Sequence, residues 1–579
     1  MPKKESSILN LLIDIYGLEN GRATFDRLRV LLQNYPSHSY HPHRTGREGK
    51  ISQRDAILIT YGDQVRAPGI PPLRSLASFC ERHIAGVISG IHILPFYPSS
   101  SDDGFSVIDY RQVDPALGSW DDIDHLGANF RLMFDAVLNH ISSESEWFQG
   151  FLKDHSDYRH YFIVPDGDAE LSQVVRPRAL PLLTTFETPS GPKKVWTTFS
   201  SDQIDLNYHN PDVLLEIIST LLFYVAHGAE FIRLDAIAYL WKQTGTTCIH
   251  LPQTHLIIQL LRAVLDEVAP HVFLITETNV PHEENISYFG SGSNEAQMVY
   301  NFALPPLVLH SLHTGDASRL AKWADGLHLP PGRITFFNFL ASHDGIGLNP
   351  ARNILAPAEI DRLVDNAKAH GGLVSYKRNP DGTQSPYELN INYFDALSDP
   401  QVLEALDTQI DRFVAAHAIM FSITGLPGIY FHSLFGSRGW PEGVAQTGRN
   451  RTINRQKFLR AELEQQLASQ GALRRKVFNR LSGLLRQRAA HPAFHPYGMQ
   501  TILECNPSVF ALLRTSPDDG DWVLCLQNVS SQAQVVSLEK GDLQDLPPLL
   551  VDLTSGRQVR LARNWSFHLK PYQTLWLTS

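Results

Sequence analysis

Cysteine is scarce in this chain. Its 579 residues include four cysteines, at positions 80, 248, 505 and 525, and no two of them form a C-x-x-C pair. Isolated cysteines provide neither a disulfide framework nor a cysteine-based zinc site, and they are typical of proteins in a reducing compartment. We therefore expect a cytoplasmic protein without a bound metal.

Long hydrophobic runs and a strong excess of one charge are also missing. The longest apolar stretches, such as HAIMFSITGLPGIYF at 417–431, are short and interrupted by glycine and proline, so none is expected to cross a bilayer. The net charge of −10 comes from 50 basic and 60 acidic residues, whereas nucleic-acid binders usually carry a basic patch. Asp14 interrupts the N-terminal apolar run, which predicts an amphipathic helix instead of a signal peptide. The sequence thus predicts partners that are neither membranes nor nucleic acids.

Strand-like and helix-like segments alternate along the chain. Eight short apolar segments are rich in β-branched and aromatic residues, and amphipathic segments such as 214–228 and 255–270 lie between several of them. Near-continuous apolar strands that alternate with helices predict a parallel sheet covered on both faces. Eight such strands favour a closed (β/α)8 TIM barrel, an α/β fold. The predicted strands are residues 56–61, 86–96, 131–140, 230–239, 272–278, 298–305, 334–344 and 426–431.

Interruptions of this alternation predict the domain organisation. Polar, proline-rich residues follow the second strand and surround the third, a turn-rich stretch with KRNPDGTQSPYELN follows the seventh, and short alternating strands begin near residue 492. These changes predict two subdomains inserted into the barrel and a C-terminal antiparallel β-domain. The predicted boundaries are 1–92 for an N-terminal extension with the first part of the barrel, 93–209 for an inserted B subdomain, 210–345 for the barrel with the catalytic residues, 346–400 for an inserted B′ loop subdomain, 401–491 for the end of the barrel, and 492–579 for a β-sandwich.

Charged side chains at the strand ends are the candidate catalytic residues, because chemistry in such a barrel is carried at the C-terminal ends of its strands. Asp235, Glu277 and Asp344 stand where the fourth, fifth and seventh predicted strands end. Arg233 lies two positions before Asp235, on the same face of its strand. One such carboxylate is more often a cap of the next loop, but three of them predict an active site. Other polar residues near strand ends are Asp63, His92, His140 and His343.

Paired carboxylates suit the cleavage of an acetal. One carboxylate attacks the anomeric carbon, and another protonates the leaving oxygen. Arg233 is expected to keep Asp235 ionised, because a nearby opposite charge favours the charged form. Glu277 follows the apolar residues VFLIT, and burial there is expected to raise its pKa, so that it holds the proton that an acid needs.

Four motifs at these strand ends carry a family resemblance. FDAVLNH, FIRLDA, ITET and ASHDG resemble, in this order, the four signature regions of the α-amylase superfamily, and the resemblance extends from about residue 55 to about residue 490. It implies a retaining mechanism with Asp235 as nucleophile, Glu277 as general acid/base and Asp344 as transition-state stabiliser. Members of the superfamily often hold calcium near the position of Asn139.

Finer motifs resemble the sucrose-phosphorylase branch of this superfamily. HILPFYPSSSDDGFSVIDY (92–110), VRPRALP (175–181) and VWTTFSSDQIDLN (195–207) are similar to its sequences. The resemblance implies inorganic phosphate as co-substrate, no metal or organic cofactor, and a homodimer. It also implies that Arg178, whose fork suits phosphate, and Tyr387 line the phosphate or acceptor side. The residues that it implies for the glucosyl pocket are Asp63, His92, Phe199, Gln203, Arg233, Tyr239, His343 and Arg451.

Departures from sucrose phosphorylases concern the acceptor. Asn279 stands in TETNVPHEENI where a histidine is usual, and the loop that ends in Tyr387 and Glu388 differs strongly. Both features are more similar to glucosylglycerate and glucosylglycerol phosphorylases, and glycerate is slightly preferred to glycerol as acceptor. Lys377 is a candidate ligand of a glycerate carboxylate, although such loop lysines more often face solvent. Glu388 would repel a carboxylate and could bind the hydroxyls of glycerol.

A hydrolytic α-glucosidase or transglucosidase and a non-enzymatic barrel are the competing interpretations. The motifs for the first half-reaction are shared with glycosidases, so only the phosphate loops favour a phosphorylase. A non-enzymatic relative is expected to have lost part of the carboxylate triad, and all three carboxylates are present.

Overall fold

A closed barrel of eight parallel strands forms the centre of the molecule. The computed structural model describes residues 3–35, 49–178, 180–379, 382–538, 547, 549–560 and 566–579. Each barrel strand pairs with its neighbours in the sequence, and the last closes on the first. The strands are β1 (Ile57–Thr60), β2 (Gly90–Ile93), β3 (Arg131–Val137), β4 (Ala229–Asp235), β5 (Phe273–Thr276), β6 (Met298–Tyr300), β7 (Thr335–Asn338) and β8 (Leu426–Tyr430). Every one overlaps a predicted segment, so the predicted barrel is confirmed.

Helices cover the outside of the barrel, which explains why its strands are buried along their whole length. The helix Pro211–Ala226 is typical: proline occupies its first turn, and the side chain of Asn210 caps it by accepting from the N–H of Asp212. Gly228, with φ of 88°, then turns the chain into β4. The longer helices beside the barrel are Pro72–His83, Trp120–Gly127, Pro211–Ala226, Pro252–Val268, Leu304–Thr314, Ser318–Asp325, Leu406–Ser422 and Leu473–Ala490. Further helices are Glu146–Leu152, His282–Ile286, Pro357–Ala369, Tyr393–Leu397, Phe431–Leu434, Pro441–Thr447 and Arg460–Ala468.

The N-terminal extension is a helical pair that packs on the barrel. Helices Lys3–Tyr16 and Leu18–Gln33 contact each other, and the first of them also contacts the barrel helix Pro252–Val268. The hydroxyl of Tyr16 donates to the carbonyl of Tyr208 over 2.9 Å. The extension is therefore attached to the outer helical layer, as the N-terminal helical pattern predicts. Residues 36–48, also part of the predicted extension, lie outside the described residues.

Two insertions surround the carboxyl end of the barrel. The first follows β3 and contains the paired strands His140–Ser142 with Gln203–Asp205 and Leu183–Phe186 with Lys193–Trp196. The second follows β7 and contains a three-stranded sheet of Ile346–Gly347, Gln384–Asn390 and Leu373–Arg378. The range 93–209 is not one continuous insertion, because β3 and the barrel helix before it lie inside this range. That helix has only eight residues, so its pattern is hidden among the polar loops.

The C-terminal region is a separate antiparallel β-domain, as predicted. Its larger sheet and a two-stranded sheet share an apolar core that includes Leu524, Leu577, Val536 and Phe567. The larger sheet contains, in spatial order, Met499–Ile502, Val509–Thr515, Trp522–Asn528, Thr574–Thr578, Leu549–Asp552 and Arg557–Arg560, and the smaller one pairs Gln534–Ser537 with Ser566–Leu569. One more short pair, Val65–Arg66 with Phe458–Leu459, lies beside the barrel. Among the residues that the structure describes, no helix combines the length and hydrophobicity that a transmembrane segment needs.

Candidate active site

A cavity at the carboxyl end of the barrel brings the three predicted catalytic carboxylates together. Asp235 is the last residue of β4, Glu277 follows the last residue of β5, and Asp344 lies beyond the end of β7. All three line the cavity. Side chains from separate strands converge there because parallel barrel strands all end on the same side. The other sequence-predicted residues that line it are His140, Phe199, Gln203, Tyr239, His343, Arg451, Arg178 and Tyr387.

Arg233 links the two carboxylates of β4 and β5 inside the barrel. Its Nη1 donates to Oδ1 of Asp235 over 2.7 Å, and its Nη2 lies 3.7 Å from Oε2 of Glu277. Nη1 also contacts Asp135 on β3. The other oxygen of Asp135 lies 2.7 Å from Nε2 of His92 on β2. The arginine and aspartate predicted on one face of the fourth strand are thus part of a buried polar chain across four adjacent strands.

Burial and repulsion from neighbouring carboxyl groups raise the pKa values of Asp235 and Glu277. Burial raises the pKa of Asp235 to about 8, and the opposing effect of Arg233 is smaller. Burial likewise raises the pKa of Glu277. The expectation for Glu277 agrees with this result. Arg233 was expected to keep Asp235 ionised, and it does lower the pKa of Asp235, but burial outweighs this effect. Two interacting carboxyl groups of this kind titrate as a pair and can share one proton.

Arg451 binds Asp344 and is itself bound by Glu388 of the B′ subdomain. Nη1 of Arg451 lies 2.6 Å from Oδ1 of Asp344. Nε and Nη2 of Arg451 donate to the two oxygens of Glu388 over 3.0 and 2.8 Å, which is a bidentate pair. Glu388 also accepts from the backbone N–H of Gly345. Although burial opposes it, Arg451 holds the pKa of Asp344 well below its usual range.

Asp102 lines the cavity and was not among the predicted site residues. It lies in the SSSDDGF segment, where its φ of 52° is left-handed. Its Oδ2 accepts from Nη2 of Arg178 over 2.9 Å. Although burial opposes it, Arg178 and Arg451 hold the pKa of Asp102 well below its usual range, so this side chain stays ionised. The available signal was a pair of aspartates before a glycine, since aspartate tolerates left-handed backbone better than most residues.

Asp202 fixes the loop that carries Asp102. Its Oδ2 accepts from the hydroxyls of Ser100 and Ser106 over 2.6 and 2.9 Å. Its Oδ1 accepts from the hydroxyl of Ser143 over 2.5 Å. One carboxylate thereby connects the serine-rich loop after β2 to the B subdomain, directly beside the cavity residue Gln203.

Several sequence-predicted residues lie outside the cavity lining. They are Asp63, His92, Arg233, Lys377 and Glu388. Asp63 points to a different cluster, where Lys457 and Arg66 each lie 2.6 Å from one of its oxygens. β1 ends at Thr60, so Asp63 lies three residues beyond the strand, in the turn that follows it. Lys377 is half-buried on Leu373–Arg378, and its placement gives it no contact with the cavity within the described residues.

An ammonium group occupies the polar position next to Asn139. Nζ of Lys242 lies 2.6 Å from Oδ1 of Asn139 and 2.6 Å from Oδ2 of Asp205. A divalent cation does not fit these oxygens while the ammonium group binds them. Elsewhere in the described ranges, no cluster of three or more His, Cys, Asp or Glu side chains has a metal-binding arrangement.

The chain also matches known proteins. Residues 86–326 match the family model described as alpha amylase, catalytic domain. A glucosylglycerate phosphorylase of Allomeiothermus silvanus is 51% identical over 577 residues, which cover 100% of this chain and 99% of that protein. This chain belongs to the α-amylase superfamily. A glucosylglycerate phosphorylase of Escherichia coli is 47% identical, over 91% of this chain and 92% of that protein.

The barrel shares its architecture with a solved member of the same superfamily. The crystal structure of sucrose 6F-phosphate phosphorylase from Thermoanaerobacter thermosaccharolyticum superimposes with a TM-score of 0.73 at 25% identity, over 89% of this chain and 98% of that chain. The resemblance to the α-amylase superfamily, and within it to phosphorylases, is therefore confirmed.

Proposed function

We propose that this member of the α-amylase superfamily is a retaining phosphorylase of the hexosyltransferase type. It transfers the glucosyl unit of glucosylglycerate to inorganic phosphate and forms α-D-glucose 1-phosphate and D-glycerate. The observation that carries the proposal is that Asp235 and Glu277 line one cavity and that Arg233 contacts both of them. Relatives that are about half identical over almost the whole chain and are named for this reaction support the choice of glycerate over glycerol.

The first half-reaction forms a glucosyl ester on Asp235. Its carboxylate attacks the anomeric carbon while the bond to the glycerate oxygen breaks, and Glu277 gives its proton to that oxygen. Reaction requires that Asp235 is ionised and that Glu277 holds the shared proton. Arg233 favours this state, because its guanidinium lies 2.7 Å from Asp235 but 3.7 Å from Glu277. Asp344, held ionised by Arg451, stabilises the positive charge that develops on the sugar ring.

The second half-reaction replaces glycerate by phosphate. An oxygen of monohydrogen phosphate forms a bond to the anomeric carbon as the ester bond to Asp235 breaks, and the phosphate proton returns to Glu277. Two inversions give retention of the α configuration. Inorganic phosphate is the co-substrate, and the proposal includes no metal or organic cofactor.

Incubation with a panel of α-glucosides, with and without phosphate, tests the function. We expect glucosylglycerate to yield glucose 1-phosphate only when phosphate is present, and glucosylglycerol and sucrose to react more slowly. Release of free glucose at full rate without phosphate would show a hydrolytic α-glucosidase instead. A faster reaction with glucosylglycerol would reverse the choice of acceptor.

The cellular context is also part of the proposal. The absence of a cysteine framework supports a cytoplasmic enzyme, and the resemblance to phosphorylases supports a homodimer that binds small molecules and no nucleic acid. Light scattering after size-exclusion chromatography would measure the oligomeric state, and a monomer at micromolar concentration would contradict the dimer.

A further inference from the structure

A second cavity lies at the amino end of the barrel, where Ser89 precedes β2 and Arg131 opens β3. Its volume is about 540 Å³, which is within the range of small-molecule sites. Its described lining includes three arginines, Arg54, Arg131 and Arg486, and contains no aspartate or glutamate. A cleft lined by charges of one sign concentrates ions of the other sign. In a chain with a net charge of −10, this cavity is therefore a candidate site for an anion.

Arg54 and Arg486 bring charges that no described carboxylate binds. Both are exposed, and neither side chain makes a hydrogen bond or an ion pair with the described residues. Glu81 accepts from the lining residue Asn129 over 2.9 Å, but it also lies 3.2 Å from His125 and does not line the cavity. Both guanidinium groups are thus available to a ligand.

Arg131 adds a buried donor to the same cavity. Its side chain is 1% exposed; Nε lies 2.8 Å from Glu230, and Nη1 lies 3.2 Å from Asp55 and donates to the carbonyl of Lys50. Its Nη2 is also buried but has no hydrogen-bond partner among the described residues. A buried donor without an acceptor is costly. An oxygen of a ligand in the cavity would remove this cost.

Arg488 places a further positive charge behind the cavity. Its five hydrogen bonds all go to backbone carbonyl oxygens, and two of them, those of Gln53 and Asp55, flank Arg54 in the chain. Burial lowers the pKa of Arg488 to about 9, so the group is still charged at neutral pH. A buried charge without a bound carboxylate is unfavourable, and an anion in the neighbouring cavity would offset part of that cost.

We propose that this cavity binds a phosphate monoester of a small organic molecule, with Arg54 and Arg486 as its charged ligands and Nη2 of Arg131 as a buried donor. The two unpaired guanidinium groups match a monoester, which carries a charge of about −1.5 to −2 at pH 7, whereas a carboxylate brings one charge. Their planar forks suit phosphate oxygens. Apolar lining residues such as Val87 and Ile88 leave room for the organic part of the ligand. The site lies far from the candidate catalytic carboxylates, and the inference does not rest on the proposed function.

Isothermal titration calorimetry of the native enzyme in phosphate-free buffer tests the site. The ligand is D-glucose 6-phosphate, a monoester that is neither substrate nor product of the proposed reaction. D-Gluconate, a carboxylate of similar size, and inorganic phosphate should each bind at least about tenfold more weakly, since one lacks the second charge and the other lacks the organic part. Equal affinity for gluconate would overturn the assignment to phosphate monoesters. Neither heat nor a rise in the midpoint of thermal unfolding at about 10 mM monoester would overturn the site itself.

Variants locate the bound monoester. For the double variant Arg54→Gln/Arg486→Gln we expect the Kd to rise at least about tenfold, while its thermal melt without ligand stays that of the native enzyme, because both side chains are exposed. Arg22→Gln/Arg362→Gln removes two exposed arginines that do not line this cavity, and it should keep the Kd within about twofold.

Arg178→Gln separates this cavity from the candidate active site, because Arg178 lines only the latter of the two. We expect this variant to bind glucose 6-phosphate with a Kd within about twofold of the native value. A loss of affinity in Arg178→Gln, with native affinity in the Arg54/Arg486 double variant, would place the monoester in the active site and overturn the proposal. Because the readout is binding, the result is independent of whether the enzyme catalyses phosphorolysis.

Discussion

Two buried arginines lie at opposite ends of the same barrel. Arg131 opens β3 at the amino end, is 1% exposed, and lies 2.8 Å from Glu230 and 3.2 Å from Asp55. Arg233 lies near the carboxyl end of β4, is 2% exposed, and contacts Asp135, Asp235 and Glu277. Both are arginines with acidic partners on neighbouring elements. A buried charge cluster by itself therefore does not identify an active site in this fold.

The two clusters differ in how their carboxylates are compensated. At the amino end, neutral donors also bind Asp55: the N–H of Ser52 at 2.7 Å and the hydroxyl of Ser89 at 3.0 Å. At the carboxyl end, Asp235 and Glu277 have raised pKa values because burial outweighs the attraction of Arg233. Two buried carboxyl groups whose negative charge is not fully balanced can hold a proton that is available for acid–base catalysis. We therefore expect the first cluster to serve stability and the second to serve catalysis, and four substitutions test this division.

The largest effect is expected from Asp235→Ala. Removal of the nucleophile should lower turnover by at least about 10,000-fold, which corresponds to roughly 5.5 kcal/mol of barrier. The midpoint of thermal unfolding should not fall, because one of two repelling buried carboxyl groups is lost. The measurements are glucose 1-phosphate formation and a thermal melt. Retention of more than a few per cent of activity would contradict the assignment of the nucleophile.

Glu277→Gln should show a loss that depends on the leaving group. Glycerate needs a proton as it departs, so turnover of glucosylglycerate should fall about 100- to 10,000-fold. Fluoride departs without a proton, so glucosylation by α-D-glucosyl fluoride should fall much less. Single-turnover rates with both donors measure the difference. Equal losses with the two donors would mean that Glu277 is not the general acid.

Arg131→Ala tests the amino end of the barrel. Its loss removes the guanidinium that binds the buried carboxylates of Asp55 and Glu230, and we expect the free energy of unfolding to fall by about 3–5 kcal/mol. Activity per folded molecule should stay unchanged, since the substitution is at the far end of the barrel. Arg54→Ala, at an exposed arginine beside it, is the control and should change stability by less than about 0.5 kcal/mol. An unchanged thermal melt together with a reduced kcat would show that the cluster at the amino end serves activity and not stability.

Sequence patterns predicted the barrel because each strand is a short apolar run between helical segments. The same patterns predicted strands that are too long: the seventh strand was predicted over 334–344 but is Thr335–Asn338. Apolar residues continue beyond the strand because Phe339 and Leu340 are buried in the loop that follows it. Residue type alone does not separate a strand from the buried loop that follows it.

The convergence of the three candidate catalytic carboxylates was predictable because strand order and barrel closure decide where they meet. The contact between Glu388 and Arg451 was not, because it joins the second insertion to a segment after β8 that lies 63 positions further along the chain. Asp102 escaped prediction for a related reason: its loop folds back through left-handed residues, which no periodicity records. The positions of residues on barrel strands can be predicted from the sequence pattern, whereas the positions of residues on insertions depend on long-range contacts.

The smallest effect concerns the pH profile of Glu388→Gln. Arg451 lowers the pKa of Glu277, although burial raises that pKa overall. Glu388 offsets the charge of Arg451, so its neutralisation should lower the pKa of Glu277 further. Glu277 acts as an acid only when protonated, so the alkaline limb of kcat/KM should move to lower pH, by less than about one unit. Glu442→Gln, at an exposed glutamate, is the control and should leave the limb in place. An alkaline limb that stays in place or moves to higher pH in the Glu388 variant would show that this carboxylate acts on Arg451 by packing alone.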